Sequence, residues 1–378
     1  MGRGSTQDLL RAVVKTLSGG PKAINEIAEA TGFDRIAITK YLEVLKECDL
    51  LSEKTDGRKR VFKLESGLSF RDDTYFGLPI EPEKEKVIDA LYASIRRYWF
   101  EKTKRYPSQV DVQKTLFRVN KERKLDLPVG WYIFGALCVK PYDPSFDYPF
   151  HSLPKDVEQS VKAAVDVYSK NEFGYQIKIQ QYREEGNTFY LLKEEILSIL
   201  YSCNFSKRSV YVLNKKVKEL FGLAPKTEDA VYNEILSEYQ DLISQVLSIS
   251  DEELIKGVQP ELTSSFENVW KLIATYNYKQ DLGKISFYSK DVLDRNFRID
   301  IVQQEREVVE RCSYLQSLLP PEEEPTDSRY LEIKKALASI KELSDEEKSK
   351  RKAVIDKIRK EKGDKGVQDF VLKQFNVS

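Results

Sequence analysis

Three features of the chain predict a mostly α protein with small β hairpins. Apolar residues recur at three- and four-residue spacing through most of its length. Pro, Gly, Ser and Asx residues cut those runs into segments of helical length. Period-two alternation is confined to short stretches that flank Asp-Gly and Gly-Asn. Over 378 residues this predicts a helical unit with a hairpin at 1–65, a linker at 66–81, a central α+β domain at 82–205, a helical domain at 206–320 and a charged helical arm at 321–378.

The first helix is expected over 6–18, with Leu9, Leu10, Val13 and Leu17 as its apolar stripe and Gly19-Gly20-Pro21 as its stop. Ile24, Ile27 and Ala28 give a second helix an apolar side, and Thr31-Gly32-Phe33 breaks it. Asp34 is placed to cap a third helix, because its carboxylate can accept from the amides of the first turn. Ile38, Leu42 and Leu45 face inward on that helix, which leaves Arg35, Ile36, Thr39, Lys40 and Glu43 outside. Leu50–Lys54 and Arg60–Leu64 then read as strands around Asp56-Gly57, a strong hairpin signal.

Ile27-Ala28-Glu29-Ala30-Thr31-Gly32, then Ile38, Tyr41-Leu42, Leu45 and the Leu50-Leu51 pair resemble a winged helix-turn-helix of the MarR and ArsR repressor type. The resemblance covers residues 5–64, with Cys48-Asp49 where such proteins usually place a Gly before the wing. It implies that the third helix enters the major groove of duplex DNA with its N-terminal residues at the base edges. The implied contacts are Arg35, Ile36, Thr39, Lys40 and Glu43 on that helix and Lys54, Arg58, Lys59 and Arg60 on the wing.

Pro82 opens a helix running to about Lys104, with Val87, Ile88, Leu91, Ile95, Tyr98 and Trp99 inward. Ser108 and Asp111 form a capping-box start for the next, with Val112, Leu116 and Val119 inward. Residues 96–124 hold ten basic against three acidic residues, a net +7 in a chain whose total charge is zero. Arg96, Arg97, Arg118, Lys121 and Lys124 are therefore candidates for a second nucleic-acid surface, against the plainer reading of a solvated helix face. Residues 125–151 crowd aromatics among Gly and Pro. They nominate Trp131, Tyr132, Tyr142, Tyr148 and His151 as the lining of an effector pocket, against a purely structural aromatic core or loop plug. Gln113-Lys114-Thr115-Leu116-Phe117 with Phe134-Gly135 is faintly similar to Panacea-type antitoxin domains, although Ala136 replaces their usual Pro.

Beyond these lie a helix at 155–170, a hairpin of Tyr175–Ile179 and Thr188–Leu192 around Gly186-Asn187, and mostly helix from 193 to 320. Ser250 and Glu253 mark one helix start there, and Tyr276–Gly283 reads as a break. Ile299, Ile301, Val302, Val308, Val309 and Leu315 form a long stripe of the kind that packs on a partner subunit. Pro320-Pro321 and three glutamates lead into the charged arm, a candidate docking segment for a protein partner.

Cys48, Cys138, Cys203 and Cys312 are scattered and His151 is the sole histidine, so no metal site and no cofactor are expected. No phosphate-binding, nucleophile-elbow or metalloprotease motif is present, and no catalytic residue is expected. There is no run of eighteen apolar residues, so a cytoplasmic, nucleoid-associated prokaryotic protein is expected, with no membrane partner. These observations lead to a sequence-specific, non-enzymatic DNA-binding regulator acting as a homodimer on double-stranded DNA. The runner-up is a DNA-binding adaptor within a larger defence or antitoxin assembly.

Overall fold

Helix α1 (Thr6–Ser18) turns Leu9, Val13, Val14 and Leu17 into a small core. The computed structural model describes residues 6–320, except 49, 57–58, 66–70, 72, 150, 172–173 and 203. Arg58 and the whole charged arm therefore lie outside the described residues. After α1 come β1 (Lys22–Ala23), α2 (Ile24–Thr31) and α3 (Arg35–Glu47). Strands β2 (Leu51–Asp56) and β3 (Lys59–Leu64) complete an antiparallel sheet of order β1-β3-β2. The corner between α2 and α3 depends on Gly32, whose φ of 71° is left-handed and whose amide donates back to Ala28. Asp34 caps α3 as expected, accepting from the amides of Ile36 at 2.7 Å and Ala37 at 3.4 Å. The elements have the order and pairing of a winged helix, and pairing extends to Asp56 opposite Lys59.

The segment after the wing packs against the body. Phe76 stacks on Phe297 at 4.2 Å, and its carbonyl and that of Gly77 accept from Asn296. Next are α4 (Pro82–Thr103), α5 (Gln109–Arg123), a hairpin of β4 (Val129–Tyr132) and β5 (Gly135–Cys138), and α6 (Lys155–Tyr168). Six more helices follow: α7 (Gly174–Glu184), α8 (Thr188–Leu200), α9 (Lys207–Leu223), α10 (Ala230–Ser248), α11 (Glu252–Leu282) and α12 (Lys290–Leu318). One apolar core runs from Phe76 to Leu319 and is continuous through Phe205 and Val210. Helix α11 lies so close over β4 that a Cβ on Gly130 would sit 2.9 Å from side-chain atoms of Asp281 and Tyr278. Asp281 also accepts from the Trp131 amide at 2.9 Å.

Three expectations are corrected. The second hairpin is absent: 174–184 and 188–200 are helices. Gly186 and Asn187 mark a helix-to-helix corner, with Asn187 accepting from the Tyr190 amide. Buried Ile177, Gln181, Tyr182 and Tyr190, Ile196, Leu200 follow the helical period that the β-rich composition masks. The hairpin of this region lies instead at 129–138, within the aromatic-rich stretch. Finally, α11 continues through Tyr276–Tyr278 and stops only at Gly283, and its cap is Asp251 rather than Ser250. Packing outweighs side-chain polarity here, because Tyr276 and Tyr278 are buried in the core.

Candidate nucleic-acid interface

The exposed end of α3 is its N-terminal half. Arg35 is exposed, makes no side-chain hydrogen bond to a described residue, and is followed by Ile36 at 82% exposure. Thr39, one turn on, gives its hydroxyl proton to the Arg35 carbonyl at 2.8 Å and keeps its oxygen as an acceptor. Together these three form a polar-and-methyl ridge at the end of the helix that a groove would meet first.

Further along, the charges are tied down. Glu43 accepts from Arg60 at 2.8 Å, and Glu53 on β2 accepts from both Arg60 and Lys46. Arg60 and then Lys46 hold the Glu53 carboxyl down to about 2. This four-membered cluster fixes the wing against α3, so Glu43 and Arg60 serve chiefly to orient the two elements. Lys54 and Lys59 remain exposed on the wing. The Arg60 guanidinium also lies 5.3 Å from the Phe62 ring centroid.

Helix α12 runs along the other side of α3. Ile299 is buried in the winged-segment core, and Val302 packs against it. Gln303 donates to the Tyr41 hydroxyl at 2.7 Å, Arg306 pairs with Glu47, and Glu310 approaches Lys40 at 3.4 Å. Tyr41 and Val44 are thereby buried, a role the sequence does not reveal because their cover comes from far along the chain. The predicted partner-facing stripe is mostly used inside this chain: Ile299, Ile301, Val308 and Leu315 are buried, whereas Val309 is 43% exposed.

The second basic set has different surroundings. Arg97 pairs with Glu158 at 2.8 Å, Arg118 with Glu184 at 3.1 Å, and Lys121 with Glu185. Arg96 donates to the Phe146 carbonyl at 2.7 Å and lies over Tyr106. Lys124 alone among the five is exposed without a described partner. Arg97, Arg118 and Lys121 thus tie α4 and α5 to α6 and to the end of α7 through ion pairs.

The five residues nominated for an effector pocket do not line one common pocket, although Tyr142 and Tyr148 stack on each other at 5.5 Å. Trp131 packs on Phe117 and Tyr190, Tyr132 on Phe76 and Tyr278, and Tyr142 with Tyr148 on Tyr92. His151 is exposed. Tyr132 lines a cavity against α5, and Tyr148 lines a separate, more open one beside Arg96 and Arg97. The aromatic density of this stretch is explained by packing on four helices, α4, α5, α8 and α11. Cys48, Cys138 and Cys312 are buried. Among the described residues no group of His, Cys, Asp and Glu could hold a metal ion, and no helix is long and apolar enough to cross a membrane.

Fold and surface together define a winged helix-turn-helix segment joined to a larger helical body. In the comparisons, 55 residues, 15% of the chain, are 36% identical to the HTH-type transcriptional regulator Rv2034 of Mycobacterium tuberculosis. The matched stretch spans about half, 51%, of that relative's length. No family model matches the chain, and no solved structure matches it.

Proposed function

We propose that the chain is a non-enzymatic, DNA-binding transcriptional regulator of a prokaryotic cell, acting on the nucleoid. In this reading α3 lies in the major groove, with Arg35 on a guanine edge, Ile36 against a thymine methyl and Thr39 on a neighbouring base or phosphate. Lys54 and Lys59, with Arg58 and Arg60, lie along the flanking phosphates. Lys40 joins them by exchanging its long contact with Glu310 for a phosphate. The observation that carries the reading is the uncovered N-terminal half of α3 beside a cationic wing, and the similarity to a named transcriptional regulator supports it. One such module gives modest affinity, so a homodimer on a two-fold operator completes the proposal.

The test is selection of bound duplexes from a random pool by the full chain, followed by salt titration. A two-fold consensus and a dimeric mass by light scattering support the regulator. Sequence-blind binding favours the adaptor, and no salt-dependent binding to any duplex rejects both.

A further inference from the structure

Between α5 and the β4–β5 hairpin lies a cavity of about 260 Å³. Its walls include Tyr75, Val110, Tyr132, Phe134 and Leu137, and they contain one charged side chain, Lys114, and no carboxylate. Lys114 is 3% exposed, and its ammonium donates to the Ala136 carbonyl at 2.8 Å. No described carboxylate pairs with it. A buried ammonium without a counter-ion is costly, because hydration is lost and nothing opposite in sign replaces it.

The surroundings add to the positive field. Lys178 sits 4.3 Å from the Phe134 ring centroid, where Lys193 and then Glu194 act on it, and Lys193 sits 5.9 Å from the same ring. Lys193 has Glu194 at 2.8 Å. Burial, and then the charge of Lys178, push the Lys114 amine well below its ordinary value. Behind the wall, the point where a Cβ on Gly135 would sit lies 2.8 Å from the Lys114 ammonium and 3.1 Å from the Gln181 amide oxygen. The Gln181 amide nitrogen and the Tyr182 hydroxyl are buried there with no hydrogen-bond partner. The polar groups behind this wall are thus neutral.

We propose that this cavity binds a small monocarboxylate with an apolar body, its carboxylate on Lys114 and its body against Val110, Tyr75 and Phe134. A single ammonium in an apolar wall matches a monoanion; a phosphate dianion would need several more donors than the wall supplies. Binding restores the missing counter-charge and therefore draws a proton onto Lys114. The site is independent of the DNA-binding reading, because its test measures ligand and not DNA.

The test is isothermal titration of the full chain with benzoate, with benzyl alcohol as the neutral body of similar shape, and with inorganic phosphate. Benzoate is expected to bind, roughly ten- to hundred-fold more tightly than benzyl alcohol, with proton uptake that appears as a buffer-dependent heat. Lys114→Met should lose that preference while melting at or above the parent temperature, since an apolar chain replaces a buried charge. Val110→Trp, which fills the cavity and keeps the ammonium, should abolish binding and serves if the first variant does not fold. Equal binding of benzoate and benzyl alcohol, phosphate binding as tightly as benzoate, unaltered benzoate binding in either variant, or no heat with benzoate overturns the proposal. A borohydride-trapped benzaldehyde adduct on Lys114 without benzoate binding also overturns it, in favour of an imine-forming lysine.

Discussion

The cations of α4 and α5 and those of the winged segment have different electrostatic company. Arg97, Arg118 and Lys121 face Glu158 on α6, Glu184 at the end of α7 and Glu185 just past it. Arg35, Lys54 and Lys59 face solvent. Arg60 stands between the two cases, on the wing yet paired with Glu43 and Glu53. A cation in contact with its own carboxylate can reach a phosphate only by giving up that pair, so its net gain on DNA is small. An unpaired one releases counterions at no such cost. Dense positive charge in a stretch of chain is therefore a poor guide to a binding surface until the opposing acids are placed.

The contrast can be broken at either end. The largest effect is expected from Arg35→Ala, which should weaken binding to the selected duplex by about 1–3 kcal/mol, roughly five- to 150-fold, and leave the melting temperature unchanged. Fluorescence anisotropy and thermal melts measure both. Next in size, the double reversal Arg118→Glu, Lys121→Glu places acid against Glu184 and Glu185. It should cost about 1–2 kcal/mol of stability in urea titrations with no loss of duplex affinity. Smallest, Glu310→Gln frees Lys40 and should tighten binding by about two- to fivefold, with most of the gain at low salt.

Two carboxyls sharpen the comparison through pH. Glu53, held at about 2 by Arg60 and Lys46, lies below its ordinary value of 4.5. Its contribution to stability is present above that ordinary value and is lost as pH falls through about 2. Glu305 is the reverse case: burial first, and then Asp229, raise it from 4.5 to about 7. Its contribution is present below the ordinary value and is lost as pH rises through about 7. Denaturation across pH should show Glu305→Gln flattening the neutral-side decline and Glu53→Gln flattening the acid side. An unchanged profile in Glu305→Gln would show that its carboxyl is hydrated in solution.

The winged segment is legible in the sequence because its signals are local. Asp34 caps, Gly32 turns, the Asp56-Gly57 pair in the sequence signals the β2–β3 hairpin, and the apolar spacing of α1 and α3 needs no distant partner. The capping box of α5 is legible for the same reason, since Ser108 and Asp111 satisfy each other's backbone within one turn. Residues 174–200 mislead because Tyr, Phe and Ile favour strands locally, whereas their helical form is selected by packing against α5 and α11. Burial of Tyr41 and Val44 has no local sign, because α12 reaches them across more than 250 positions of sequence. Lys114 stands out in the sequence only as a member of a basic run, and nothing local indicates that the β4–β5 hairpin seals it from acid partners.

Full-chain binding to a selected duplex, measured as the slope of log affinity against log salt, tests the account most directly. Neutralising Arg35, Lys54 and Lys59 together should flatten that slope by about two to three, given roughly 0.9 for each phosphate that a cation neutralises. Neutralising Arg97, Arg118 and Lys121 together should leave it unchanged. The opposite pattern, a slope held by the first variant and flattened by the second, would contradict the account and move the DNA surface to α4 and α5.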